Sequence, residues 1–257
     1  MKVAILAGGL GTRLREETEF RPKPMVEIGG HPILWHIMRH YASHDLRDFV
    51  LCLGYKGDVI RNWIMNFQVM NSDVRVRVGS RDVEVLDPPR DETNWTVTLA
   101  ETGAMTPTGG RLVKARRHLG DETFMATYGD GVSNVDLRAL LAFHKKQGRI
   151  ATVTGVRPIT RFGQIHAKDG LARGFEEKPQ LAEGWVNGGF FVLEPKVFEY
   201  LSDESVLERE PLERLTADGQ LAVYEHRGYW TAMDTYREAQ QLNEEWASGK
   251  PGWLQRP

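Results

Sequence analysis

The sequence predicts an α/β fold, a mostly parallel mixed sheet flanked by helices and carrying a small antiparallel insertion. Three observations lead there. Residues 3–7 form an apolar run that stops at Gly8 and Gly9, the pattern of a buried parallel strand breaking into a loop at its C-terminal edge. Helical spacing and short apolar runs then alternate along most of the chain, as repeated βα units require. Between residues 71 and 103 the period drops to two, which marks antiparallel strands inserted into that rhythm. A chain of 257 residues can form one such domain and bury most of its unfolded surface.

Composition narrows the function classes. A net charge of −2 offers no electrostatic case for binding nucleic acid or a membrane surface. No apolar run approaches the roughly 20 residues that span a bilayer, and the N-terminus leads into a strand rather than a cleavable signal, so a cytoplasmic protein is expected. Cys52 is the single cysteine, which excludes an intrachain disulfide; within the apolar run 49–53 it reads as a small core residue.

The end of the first strand is the most informative stretch, because ligands of open α/β sheets bind at C-terminal strand edges. Leu6 and Ala7 run into Gly8, Gly9 and Gly11, which bare the backbone to an anion, while Thr12 adds a hydroxyl and Arg13 a guanidinium fork. Lys23 stands between Pro22 and Pro24, a second cation on a stiffened segment. Together they read as a phosphate cradle. A dinucleotide fingerprint would need a third glycine where Leu14 stands and an acid closing the next strand; a P-loop would need its second glycine at Arg13 or Leu14. Both are excluded.

GGLGTRL, then PKPM, then IGGHPILWHIM resemble the signature of the sugar-1-phosphate nucleotidyltransferases, and the stretch is similar to their glucose-1-phosphate cytidylyltransferase branch. The resemblance extends over nearly the whole chain. It implies a Rossmann-like sheet of the nucleotide-diphospho-sugar transferase type, a Mg²⁺ cofactor, CTP and a sugar 1-phosphate as substrates, and a homo-oligomer, trimeric or hexameric.

The elements follow in order. Ile33, Ile37, Met38 and Tyr41 repeat at helical spacing after Pro32, and a turn at Asp45 hands over to the strand 49–53. His36, His40 and His44 lie four apart on that helix; without an HExxH motif they read as a polar or interface face rather than a metal site. A turn over residues 54–57 opens a helical stretch at 58–67. Val74, Val76 and Val78 alternate with Arg75 and Arg77, and Val83 and Val85 flank Glu84; Trp95, Val97 and Leu99 extend the pattern, so 71–103 is expected as one hairpin-like insertion. In the resembled family this region helps build a subunit contact, and oligomer contacts are expected there.

The run Thr108, Gly109, Gly110, Arg111, Leu112 opens the next helix. A reader of cytosine needs a carbonyl for the N4 amino group and a donor for the N3 and O2 edge, which a bare glycine pair and Arg111 can supply. By resemblance this run is the base-recognition loop. Residues 124–128 form the next buried strand, ending at Tyr128 and then Gly129, Asp130, Gly131; an aspartate between glycines at such an edge can reach a Mg²⁺ ion. Tyr128 and Asp130 are expected beside the nucleotide. Asp234 also reads as a cap for a helix beginning at Thr235. Trp230, Met233, Asp234 and Thr235 resemble the family motif that supplies the second metal ligand.

Three further runs read as strand-end turns carrying polar groups beside small ones, fit for a sugar phosphate: Gly163 after Arg161 and Phe162, Glu177 and Lys178 before Pro179, and Asn187 before Gly188 and Gly189. The second and third resemble sugar-binding motifs of the family. Gln164 and His166 match no sugar-specific pattern. A short helix starts near Pro211 and closes at Gly219, a strand covers 221–224, and a final helix runs from about 235 to 246.

The expected activity is metal-dependent nucleotidyl transfer, with Arg13 and Lys23 holding the triphosphate, Asp130 and Asp234 the metal, and Lys178 the sugar phosphate. The same chemistry with another nucleotide or sugar 1-phosphate, such as dTTP, and a non-catalytic sugar-nucleotide sensor are the competing expectations; a dehydrogenase is a third, which the broken dinucleotide fingerprint opposes.

Overall fold

The computed structural model describes the backbone of residues 1–87, 92, 94–158, 164–168, 171–176 and 184–255; the side chains of 13, 15, 16, 164–168, 172 and 174–176 lie outside the description. Among these residues the central sheet runs in the order Val186–Asn187, Ala151–Val156, Phe191–Leu193, Phe124–Tyr128, Lys2–Leu6, Asp48–Leu53 and Thr96–Glu101, with Leu221–His226 also paired to Ala151–Val156. Lys2–Leu6 has a parallel neighbour on each side, Val3 lying opposite both Phe49 and Met125. Phe191–Leu193 runs antiparallel to Phe124–Tyr128 and to Ala151–Val156, which makes the sheet mixed.

The first strand is apolar throughout because both its faces are covered. Val3 and Ile5 pack with Ile33, Ile37 and Tyr41 of the helix Ile33–Ala42. Ala4 and Leu6 pack on the opposite side with Leu112, Ala115 and Leu119 of the helix Thr108–Leu119. Leu137–Gln147 shows why such helices begin and end where they do: the Asp136 carboxylate accepts from the Arg138 and Ala139 amides, and Gly148 stops the helix in the left-handed region at φ 58°.

Three expectations change. Thr96–Glu101 is not part of the antiparallel insertion; it is the parallel edge strand of the central sheet, with Asp48 opposite Thr96 and Leu53 opposite Glu101. Period-two alternation marks any strand with one face half exposed, so it could not separate an edge strand from a hairpin. The hairpin is Val74–Arg77 with Asp82–Val85, and among the described residues it pairs only within itself. The helix over 58–67 stops at Met65, and a separate turn of helix, Phe67–Met70, follows Asn66.

The third change concerns the histidines. His36 and His40 are buried, not a polar face. Each donates from Nε2 to a carbonyl, His36 to Ile28 at 2.8 Å and His40 to Val135 at 2.9 Å. His36 Nδ1 accepts from the indole of Trp253, so this helix anchors the C-terminal segment. Among the described residues no helix is long and apolar enough to cross a membrane, and no group of three or more His, Cys, Asp or Glu could hold a metal.

Candidate active site

A cleft of about 370 Å³ opens at the C-terminal edge of the two central strands. Leu6, Gly9, Gly11 and Thr12 form one wall; Thr106, Pro107, Thr108 and Arg111 form another; Tyr128, Asp130, Lys23 and Asp234 complete the lining. Most of the residues expected at the nucleotide therefore converge on one cavity. Ala7, Gly8, Gly109 and Gly110 do not line it.

The glycines serve different ends. A Cβ on Gly8 would sit 2.1 Å from Arg111 Nη1, and one on Gly54 would sit 2.4 Å from the same atom. Gly11 takes φ +62°, a conformation that favours glycine. At Gly9 nothing lies within 4 Å of where a Cβ would be, so this position alone of the three is bare toward open space.

Arg111 explains the first two. It is 3% exposed, and its terminal nitrogens donate to the carbonyls of Gly8, Leu53, Gly103 and Ala104 and to Thr102 Oγ1, at 2.8 to 3.2 Å. The guanidinium, expected as a donor to the base, is instead tied to the ends of three adjacent strands. Burial lowers its pKa from the ordinary value. Gly109 and Gly110 likewise do not offer backbone to the cleft: both are buried, and both amides donate to the Ser205 carbonyl. A Cβ on Gly110 would fall 2.1 Å from the Asp203 carbonyl oxygen, so the glycine pair lets residues 203–205 pack against the helix.

Lys23 lies at the start of the short 3₁₀ turn Lys23–Met25, with a proline on either side. Its ammonium donates to Asp130 Oδ2 and to Asp234 Oδ1, each at 2.6 Å. A short ladder brings the two aspartates together, for Gly131–Ser133 pairs antiparallel with Trp230–Ala232 and the Met233 amide donates to the Asp130 carbonyl at 2.9 Å. Burial opposes the charge on Lys23, but the two carboxylates outweigh it and its pKa is raised. The helix Tyr236–Ala247 is capped by Thr235 in a reciprocal box with Glu238, so Asp234 is not the cap.

A model of the nucleotidyl transferase family matches residues 2–244 of this sequence. The chain belongs to that family. It is 47% identical to the glucose-1-phosphate cytidylyltransferase of Salmonella typhimurium over 98% of each chain. It is 44% identical to a probable glucose-1-phosphate cytidylyltransferase of Bacillus subtilis, over 98% of this chain and 99% of that one. Among solved structures, HddC from Yersinia pseudotuberculosis in complex with GMP-PN superposes with a TM-score of 0.69 at 23% identity, covering 95% of this chain and 99% of that one, a likeness of fold.

In this nucleotidyl transferase, Asn187 sits at the far side of Tyr128. Gly189 N–H donates to Asn187 Oδ1, and Asn187 Nδ2 donates to the Tyr128 hydroxyl at 2.9 Å. The Trp230 indole donates to the Gly188 carbonyl, which ties this loop to the strand leading to Asp234. Gly163, Glu177 and Lys178 lie outside the described residues, as does the Arg13 side chain. Sequence reasoning missed Glu208, whose Oε2 accepts from the Thr108 hydroxyl at 2.7 Å. In the run Glu208, Arg209, Glu210 it looks like any charged surface segment, so no local pattern distinguishes it.

Proposed function

We propose that this nucleotidyl transferase moves a cytidylyl group from CTP to α-D-glucose 1-phosphate, giving CDP-glucose and pyrophosphate, with Mg²⁺ as cofactor and in the cytoplasm. The observation that carries the reading is the meeting of Lys23, Asp130 and Asp234 on one point in a cleft walled by Gly9 and Thr12. The full-length similarity to cytidylyltransferases supports the choice of nucleotide and sugar.

The donor set fits the metal. Two carboxylate oxygens, each 2.6 Å from the Lys23 ammonium, are the hard oxygen donors that a cation such as Mg²⁺ takes in ones or twos, the remaining donors being phosphate and water. Asp130 and Asp234 would hold it. Bound there, Mg²⁺ supplies neutralisation of phosphate charge.

The chain's own groups do the positioning. The bare backbone at Gly9 admits the triphosphate, Thr12 and Arg13 follow at the loop's exit, and Lys23 is the cation beside the reacting phosphorus. On the sugar side, Asn187, Gly163, Glu177 and Lys178 orient glucose 1-phosphate, Lys178 toward its phosphate. An oxygen of that phosphate attacks the α-phosphorus in line, the bond from the α-phosphorus to its bridging oxygen breaks, and pyrophosphate leaves with the electron pair. No nucleophile from the protein is needed, because positioning and charge stabilisation suffice for phosphoryl chemistry.

Incubation with Mg²⁺, CTP and glucose 1-phosphate, followed by mass spectrometry, is expected to give CDP-glucose and pyrophosphate in equal amounts; absence of both overturns the reading. CTP made chiral at its α-phosphorus is expected to react with inversion, and retention would replace direct displacement by a covalent intermediate.

The hairpin supports a further part of the reading, a homo-oligomer. Val78 is 85% exposed and Val76 and Val83 about half exposed, on a ribbon that pairs with nothing else in the described chain. A second copy of this chain is the occupant we assign to it.

A further inference from the structure

We propose that Trp230 is a positioning residue of the transfer reaction, one whose indole holds the loop at Asn187 in register with Asp130 and Asp234, so that the sugar side and the metal side of the site keep one geometry. The proposal rests on reading Asn187 as a contact to the sugar phosphate.

By its backbone, Trp230 belongs to the metal side. In the ladder of Gly131–Ser133 with Trp230–Ala232, Trp230 lies opposite Ser133 and Ala232 opposite Gly131. The next residue, Met233, donates from its amide to the Asp130 carbonyl at 2.9 Å, immediately before Asp234. By its side chain, Trp230 reaches the other half of the site. Its indole Nε1 donates to the Gly188 carbonyl at 2.8 Å.

The loop is built to be held there. Gly188 is buried, and a Cβ on it would fall 2.6 Å from Val156 Cγ1, so glycine is what lets the chain lie this close to the strand Ala151–Val156. Gly188 N–H donates to the Thr154 carbonyl at 2.9 Å, and Thr154 N–H donates to the Gly189 carbonyl at 3.2 Å, which secures the loop to the sheet. Phe190 follows at φ 46°, a left-handed conformation that a bulky residue keeps only where its surroundings hold it. Gly189 N–H donates to Asn187 Oδ1 and Asn187 Nδ2 donates to the Tyr128 hydroxyl, each at 2.9 Å, so the direction of the Asn187 amide follows from the path of this backbone. Of these bonds, the one from the indole joins the loop to the strand that delivers Asp234.

The chemistry suits the position. An indole N–H only donates, and its ring is rigid, so it sets the distance between two stretches of backbone without a competing bond. Without it, the carbonyl of a buried residue loses a donor and the turn that aims Asn187 is free to shift. A misplacement of about 1 Å can slow a positioned reaction on the order of 100-fold.

Trp230→Phe removes the donor and keeps an aromatic ring. It is compared with wild type, Asn187→Ala and the double variant by steady-state kinetics in both substrates and by thermal melting. Trp230→Phe is expected to melt within about 5 °C of wild type. It is expected to raise KM for glucose 1-phosphate on the order of tenfold and to leave KM for CTP within about twofold. In the Asn187→Ala background the same substitution is expected to add less than about twofold, because Trp230 acts through that loop.

A KM for glucose 1-phosphate raised by less than about threefold, an equal rise for CTP, or an undiminished further rise on top of Asn187→Ala overturns the proposal. A melting point lowered by more than about 5 °C overturns it too, since the role is then structural. An Asn187→Ala variant with an unchanged KM for glucose 1-phosphate, or a wild type that turns over no nucleotide with any sugar phosphate, overturns the underlying reading of the site and this inference with it. An impaired Asn187→Ala beside an unimpaired Trp230→Phe overturns the assignment of Trp230 alone.

Discussion

Lys23 stands in the cleft where charge is concentrated, one ammonium between two carboxylates. Lys23→Ala is expected to lower kcat by about 10²-fold to 10³-fold, the scale of losing one preorganised charge beside a reacting centre; turnover within a few-fold of wild type would remove it from the mechanism. Gly8 makes a different prediction, because its missing side chain makes room for Arg111 rather than for a ligand. Gly8→Ala is expected to cost about 1–3 kcal/mol, read as a lower denaturation midpoint, since the buried guanidinium must give way; an unchanged midpoint would contradict that fit. At this scale the sequence was a good guide to which residues gather and a poor one to what each does. That Lys23 and Asp130 meet in the cleft was legible from side-chain type and from proline or glycine neighbours, whereas Asp234 came from the resemblance of its run to a family motif. The work of Arg111, Gly109 and Gly110 was not legible, because their partners at Leu53, Ser205 and Gly103 are distant in sequence.

The helix Ile33–Ala42 carries the pH dependence. Burial, opposed for His36 by a backbone bond to Ile28 that only partly offsets it, depresses His36 to about 4. Burial and then His44 depress His40 to about 3. Both are neutral in the folded protein at pH values where the unfolded chain binds protons, so stability falls as pH drops below about 6.5 and continues to fall toward the folded values. Between pH 7 and pH 5 the loss is expected to reach up to about 4 kcal/mol, seen as a falling denaturation midpoint; a flat profile over that range would contradict neutral burial. The hairpin Val74–Arg77 with Asp82–Val85 makes the element-scale prediction for assembly. Val76→Lys with Val78→Lys is expected to reduce the molar mass by light scattering to that of a monomer, and a wild type already monomeric at micromolar concentration would remove the interface. Periodicity found this hairpin but assigned Thr96–Glu101 to it wrongly, because alternation reports exposure and not the identity of a strand's partner.

Across the whole molecule, the sheet order explains why residues from both ends of the chain meet. The strands Lys2–Leu6 and Phe124–Tyr128 are neighbours, so the Gly9 loop and Asp130 share an edge; Trp230–Ala232 then pairs beside Asp130 and delivers Asp234. The buried Trp253 bonds to His36 and secures the C-terminal segment against the same half of the core. The class of fold was legible from apolar runs ending in glycine and from their alternation with helices. The antiparallel insertion of Phe191–Leu193 between parallel strands was not, because a three-residue apolar run carries no information about direction. The central claim is that this architecture binds CTP in the cleft and transfers its cytidylyl group. Pyrophosphate release with Mg²⁺ and glucose 1-phosphate, offering CTP, dTTP, UTP, ATP and GTP separately and then in competition, tests it most directly. Strong preference for CTP is the predicted result, and equal or better turnover with another nucleotide would contradict it while leaving the transfer chemistry in place.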